Sequence, residues 1–194
     1  IIHNHPSGDL RPSAADIREA RRRIQDTVHK TPVLSSLQIN ELTGARLYFK
    51  CENFQKVGAF KFRGASHAVS HLSAAELSRG VATHSSGNHA AALALAAKMK
   101  GAPAHIVMPE NAPGIKKKAV AGYGAQITFC IPTQAEREKT LAEVVERTSA
   151  SFVHPYDNFH VVAGQGTAAM ELLEEVNDPD MVMCPVGGGG LLSG

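Results

Sequence analysis

Short apolar runs alternate with longer segments of helical period along most of the chain, and this alternation limits the possible folds more than any other feature. Residues 46–51, 81–84, 104–108, 126–131, 151–154 and 181–185 are strand-like. Between them, residues 60–71, 88–100, 113–121 and 134–148 carry helical spacing, and Gly164-Gln165-Gly166 opens a helix running to about Val176. Ser73 with Glu76 forms a capping box ahead of a shorter helix. Upstream, Ser13 suits a helix N-cap, and Ile17, Ala20, Ile24 and Val28 recur at helical spacing until Thr31-Pro32 stops the helix. Strand and helix in alternation predict an α/β fold, a parallel sheet with helices on both faces.

The bulk numbers exclude several classes of partner. A net charge of +2 across 194 residues gives no field that calls for nucleic acid or a membrane surface. No apolar run approaches the roughly 20 residues of a membrane span. Lys116-Lys117-Lys118 reads either as a solvated helix face or as a place for an anion. Cys51, Cys130 and Cys184 are odd in number and widely spaced, so they read as buried thiols of a reducing, cytoplasmic setting.

Three stretches carry chemistry. In Gly58-Ala59-Phe60-Lys61-Phe62-Arg63-Gly64, one lysine stands between two phenylalanines. A lysine desolvated by rings has a depressed pKa and becomes a usable amine. Taken alone, the stretch suits a surface lysine on an amphipathic helix equally well. In Ser85-Ser86-Gly87-Asn88-His89, a turn of small residues leads from a strand into a helix, where free backbone amides and the helix dipole favour an anion. The same composition also makes an ordinary turn. In Gly187-Gly188-Gly189-Gly190, no Cβ blocks the approach of backbone amides to a phosphate. The run lacks the Gly-Lys-Ser/Thr ending of a nucleotide-binding P-loop.

Taken in order, the three motifs resemble the pyridoxal-phosphate enzymes of the serine/threonine dehydratase and serine racemase family, over roughly residues 15–194. The resemblance implies fold type II, with two α/β domains. The smaller one, residues 80–157, is inserted in a larger cofactor-binding domain made by residues 18–79 and 158–194, with more of that domain expected beyond Gly194. The non-methionine start at Ile1 and the stop just past a glycine loop both suggest a chain cut at its ends. The resemblance assigns Lys61 to the cofactor aldehyde and to proton transfer, Phe60 to the cofactor's ring, Asn88 to its 3-hydroxyl, and the four glycines to its phosphate. It assigns Ser85, Ser86, Asn88 and His89 to the substrate, with Ser86 also matching the second proton-moving residue of a racemase. The implied activity is an ammonia-lyase that converts L-threonine or L-serine to a 2-keto acid and ammonia; racemisation of serine is the alternative. The implied partners are pyridoxal 5′-phosphate, a small hydroxy-amino acid and further copies of the full-length chain. Tyr156-Asp157 after His154-Pro155 resembles the dehydratase side of the family. Phe-Lys-Phe-Arg-Gly and Ser-Ser-Gly-Asn-His-Ala depart from the Ser-x-Lys-Asp-Arg and Thr-Ser-Gly-Asn-Thr-Gly of cysteine-synthase-like enzymes.

Residues 1–17 read differently. His3, His5 and Asp16 form a reasonable zinc set, and the surrounding His-x-His-Pro-Ser-Gly and Ser-x-x-Asp resemble the JAMM/RadC metalloprotein motif. The upstream glutamate of that motif and its sheet are not in the sequence, so an exposed tail or inherited junction is expected here. A cofactor-free remnant is the remaining alternative for the whole chain. The other histidines, namely His29, His67, His71, His84, His105, His154 and His160, are expected to be structural or exposed, with no shared ligand spacing.

Overall fold

The computed structural model describes residues 11–194. Two sheets are present among them. The first is small: β1 (Val33–Leu34) pairs antiparallel with β2 (Phe49–Lys50). The second has four parallel strands in the order β5-β4-β3-β6, from β3 (Val81–His84), β4 (Ala104–Pro109), β5 (Gln126–Cys130) and β6 (Ser151–Phe152). Its register places Val81 opposite Ala104 and Ser151, and Ile106 opposite Ile127. The parallel sheet was legible from the alternation. Of the antiparallel pair, β2 falls within the strand-like residues 46–51, whereas β1 was not legible, because two residues are too few to show a period.

Helices cover both faces of the larger sheet, and the strand sequence shows why. Side chains alternate between faces along a strand. Val81, Ala104, Ile106 and Met108 face one core, shared with α5 (Asn88–Met99) and α3 (Lys61–Ser70). Ala82, Val107 and Cys130 face another, shared with Leu141 and Val144 of α7 (Gln134–Thr148). Helix α5 presents Ala90, Ala92, Ala94, Ala96 and Ala97, all 2% exposed or less. Such small side chains let it lie close between the sheet and α3. α6 (Gly114–Gly122) packs beside α5 and β5, and α4 (Ala74–Arg79) begins at the Ser73–Glu76 capping box. α2 (Leu37–Thr43) ends on Gly44, whose φ of 66° suits a residue without a Cβ.

Outside the larger sheet, α1 (Ala14–Ile24), α3 and α8 (Phe159–Glu175) pack on one another. The α3–α8 contact depends on glycine: a Cβ on Gly64 would lie 2.6 Å from the Val161 carbonyl oxygen, and one on Gly164 would lie 2.7 Å from Gly64 Cα. This corrects the expected start of α8. The helix begins five residues before Gly164, at Phe159, capped by the Asn158 side chain on the Val161 amide. Gly164 and Gly166 belong to its interior, serving helix–helix approach instead of a helix start.

A second correction concerns residues 181–185. They form no strand, and Met181 and Met183 are 73% and 77% exposed. A strand exists only when hydrogen-bonded to a neighbour, and no described residues pair with this segment. Cys184 therefore sits half-buried in an irregular stretch, and Cys51 is also half-buried. Only Cys130 is fully buried, and none of the three is in a disulfide. No described helix is long and apolar enough to cross a membrane.

Candidate functional site

The strand order fixes where a site can form. From β3 the chain steps to β4 and β5 on one side, then returns to place β6 on the other side of β3. At such a reversal the loops leaving adjacent strands diverge and open a crevice beyond their carboxyl ends. The loop after β3 is the Ser85–Gly87 turn. The loop after β6 runs through Val153, His154, Pro155, Tyr156 and Asp157. Each of the three motifs meets this second loop.

Lys61 opens α3. Its entry is tightly turned, with φ of 60° at Val57 and 72° at Gly58; the first is a β-branched residue in the left-handed region, which carries strain. Lys61 Nζ donates to the Pro155 carbonyl oxygen at 2.7 Å and lies 5.3 Å from the Phe60 ring centroid. Burial lowers its pKa below the usual lysine value, easing formation of the neutral amine. The flanking differs from the expectation of two rings. Phe62 is fully buried and points into the core, with its ring toward Lys56, because consecutive residues of a helix face different directions.

The Ser85 hydroxyl accepts from the Gly87 amide at 3.3 Å, and α5 then starts at Asn88 with no side-chain cap. Its first amides are therefore available to an anion. Ser86 is half-buried and Asn88 exposed. His89 behaves differently from its neighbours. Its ring is buried, and Nε2 donates to the Val153 carbonyl at 3.1 Å. Burial, only partly offset by that bond, pushes its pKa down to about 3. The neutral ring therefore ties the turn to the loop after β6. Lys116 reaches the same turn: an alanine Cβ at Gly87 would lie 3.7 Å from Lys116 Nζ. One member of the basic run thus stands beside the proposed anion-binding amides.

The glycine run is shaped by Tyr156. A Cβ on Gly188 would come within 2.2 Å of Tyr156 Cδ1, and one on Gly190 within 3.0 Å of Tyr156 Cβ. Gly187 and Gly189 have nothing within 4 Å of such an atom, and Gly189 holds φ at 84°. An open cleft of about 240 Å³ lies here, lined by Gly188, Gly189, Gly190, Tyr156, Asp157 and Ser193 among others. The loop itself is shaped by His154, whose Nδ1 accepts from the amides of Tyr156 and Asp157 at 3.3 and 2.8 Å.

A buried charge network supports α3 just beyond Lys61. Arg63 is fully buried, and its guanidinium binds Glu52 through Nε at 2.8 Å and Glu171 through both terminal nitrogens at 2.7 and 2.8 Å. Lys50 adds a second cation to Glu171 at 2.7 Å. Burial opposes the charge on both Arg63 and Glu171, but hydrogen bonds prevail: those to Glu52 and Glu171 raise the Arg63 pKa, and those from Arg63 and Lys50 lower the Glu171 pKa. Little in the sequence signals this network, since Arg63 and Glu171 lie 108 positions apart. An arginine on the apolar stretch of α3 was the one available hint.

Residues 24–194 match the family model described as pyridoxal-phosphate dependent enzyme. The chain belongs to this family. It is 52% identical to the serine racemase of Dictyostelium discoideum over 179 residues, covering 92% of the chain and 55% of the relative. It is 51% identical to the beta-hydroxyaspartate dehydratase of Paracoccus denitrificans, covering 94% of the chain and 58% of the relative. Among solved structures, maize serine racemase superposes with a TM-score of 0.90 at 49% identity, over 92% of this chain and 54% of that one. The chain thus spans little more than half the length of the relatives it matches, and its fold is that of fold type II enzymes.

The cofactor of the family is pyridoxal phosphate, and the residues present fit it. An aldehyde needs a neutral amine, and Lys61 is the lysine whose pKa burial depresses. A phosphate needs backbone donors that a side chain would obstruct, and Gly188 and Gly190 lie where any Cβ would collide with Tyr156. The other proposed zinc ligands fare differently. His3 and His5 lie outside the described residues. The Asp16 carboxylate closes the capping box of α1, accepting from the Ser13 amide at 2.7 Å. The expectation that the remaining histidines share no ligand spacing also needs correction. His67 of α3 and His71, the residue that caps that helix, stand four positions apart, and the fold brings His160 of α8 to them.

Proposed function

We propose that this chain carries the lysine-bearing part of an ammonia-lyase that converts L-threonine or L-serine to a 2-keto acid and ammonia, acting in the cytoplasm as a homo-oligomer when full length. One observation carries the reading: Lys61 presents a desolvated amine, 2.7 Å from Pro155, in the crevice where the strand order reverses. The names of the relatives support the substrate class. Serine, threonine and hydroxyaspartate are amino acids with a hydroxyl on Cβ, and the related proteins include an L-threo-3-hydroxyaspartate ammonia-lyase of Saccharomyces cerevisiae and a threonine deaminase of Solanum lycopersicum.

In this reading Lys61 holds the cofactor through its aldehyde, Phe60 lies against the ring, Asn88 binds the 3-hydroxyl, and the amides of Gly187, Gly188, Gly189 and Gly190 bind the phosphate. When bound, the cofactor supplies an electron sink for the pair left on the substrate Cα. The Ser85–Asn88 turn holds the substrate carboxylate through Ser85, Ser86, Asn88 and the backbone amide of His89, whose ring is committed to Val153. Lys116 adds positive charge beside it. Once the substrate amine has displaced Lys61, its freed Nζ would take the α-proton. The β-hydroxyl departs with a proton as water, and the released enamine hydrolyses to keto acid and ammonia. Residues 80–157 act as the smaller domain, with the crevice at its junction with residues 18–79 and 158–194.

Racemisation is the second reading. Ser86 is half-buried in the turn and its hydroxyl is engaged by no described residue, as a second proton-moving group on the opposite face of the substrate requires. The test is the visible absorbance of the purified full-length protein with added pyridoxal phosphate, together with assays for 2-keto acid and for D-serine. Lys61→Ala should abolish the cofactor band and both activities. A band unchanged in that variant overturns the assignment. Keto acid from threonine or serine supports the lyase. D-serine as the main product, lost in Ser86→Ala, selects the racemase instead, and turnover confined to hydroxyaspartate overturns the proposed substrate.

A further inference from the structure

The chemistry above leaves three histidines unused. His67 lies in the last turn of α3, His71 one turn on as its C-cap, and His160 in the first turn of α8. One ring nitrogen of each lies within 4.8 Å of the other two. The His71 and His160 rings stack with centroids 3.9 Å apart, and the His67 ring meets His71 edge-on at 4.6 Å.

The hydrogen bonds settle how the cluster is protonated. His67 Nδ1 lies 2.8 Å from the His160 carbonyl oxygen. A carbonyl only accepts, so Nδ1 carries the proton and Nε2 turns its lone pair inward. His71 Nε2, 2.9 Å away, donates to that lone pair. A backbone carbonyl that fixes the tautomer of an imidazole and orients its free nitrogen is the usual outer partner of a metal-bound histidine. With a proton on Nδ1 and a lone pair on Nε2, the His67 ring is the neutral form that binds metal. His67 is buried while His71 and His160 are half-buried, so a cation can enter from solvent past the outer two rings.

We propose that His67, His71 and His160 form a binding site for a late first-row divalent cation, zinc foremost, with three imidazole nitrogens and a water completing a tetrahedron. The i, i+4 pair and the third ring from another helix supply the ligand count and type that zinc takes. Binding needs no net proton release: the His71 proton moves from Nε2 to Nδ1 as Nε2 turns to the metal. The cation bridges α3 and α8, the helices already joined by Gly64–Gly164 and Arg63–Glu171. It braces the helix that begins with Lys61 without touching the reacting atoms, and the site stands independently of the proposed lyase activity.

The test is zinc uptake by tag-free whole protein in equilibrium dialysis, with cobalt(II) as a spectroscopic stand-in. One equivalent of zinc should bind, cobalt should give the visible bands of a tetrahedral site, and zinc should raise the melting temperature. His71→Asn and His160→Ala should each weaken binding by more than the roughly 10–100-fold that losing an outer partner costs, while both variants keep the wild-type melting temperature in metal-free buffer. The double variant His3→Ala/His5→Ala should bind as tightly as the wild type. No stoichiometric zinc, binding unchanged in His71→Asn and His160→Ala, or binding lost in His3→Ala/His5→Ala would each overturn the site.

Discussion

Replacing Arg63 by alanine tests the buried network that supports the lysine-bearing helix. Arg63 is 0% exposed, and the side chains of its partners Glu52 and Glu171 are 15% and 7% exposed. The substitution removes two charge-assisted bonds to each carboxylate. Lys50 still covers one oxygen of Glu171, but Glu52 keeps only the Thr31 hydroxyl at 2.6 Å. Removing one partner of a buried ion pair costs about 3–5 kcal/mol, because a charge is left buried without compensation. At about 2–4 °C per kcal/mol for a chain of this size, the melting temperature should fall by about 6–20 °C. The pH dependence sharpens the test. Glu171 has a folded pKa below its ordinary 4.5, so its contribution is present above pH 4.5 and fades as pH falls through the lower folded value. In Arg63→Ala the buried carboxylate loses that stabilisation, and the gap between variant and wild type should be widest near pH 7 and narrow below pH 4.5. Thermal unfolding by circular dichroism across pH 4–7 measures both effects. A variant melting within about 3 °C of wild type at pH 7, or a loss independent of pH, would refute the argument.

Gly164→Ala should destabilise by about 1–3 kcal/mol, since its Cβ would lie 2.7 Å from Gly64 Cα and 2.8 Å from the Arg63 carbonyl oxygen, both backbone atoms; urea unfolding that matches wild type would contradict this contact. Gly188→Ala should weaken pyridoxal phosphate binding at least tenfold in a fluorescence titration while leaving the fold intact, because its Cβ would collide with Tyr156 at 2.2 Å. Acid should destabilise the protein before carboxylates titrate. His67 and His89 are held neutral, at about 4 and about 3 against an ordinary 6.5, so the unfolded state binds more protons below pH 6.5, and stability should fall by up to about 1.4 kcal/mol per pH unit for each. His89→Gln should flatten that slope between pH 6.5 and 5 in denaturant titrations, and a wild-type profile that is already flat there would rule the effect out.

Sequence alone determined what depends on neighbours along the chain. Helix caps at Ser13 and Ser73 and the alternation of strand and helix follow from local sterics and hydrogen bonding, and the structure carries all of them. The chemical types of Lys61, the Ser85–Asn88 turn and the glycine run were likewise legible, because an amine, a helix start and a bare backbone are written in consecutive residues. Their meeting on the loop after β6 was not, since it depends on β6 crossing back to the far side of β3. The start of α8 was misplaced because glycine signals backbone freedom, whereas Gly164 is required by another helix 2.7 Å away. Residues 181–185 carried a strand's composition, but a strand needs a partner that composition does not supply. Arg63 with Glu171, and His160 with His67, are joined across 108 and 93 positions. Only packing brings such residues together, and there burial gives their charges and lone pairs an energetic weight that water would have screened.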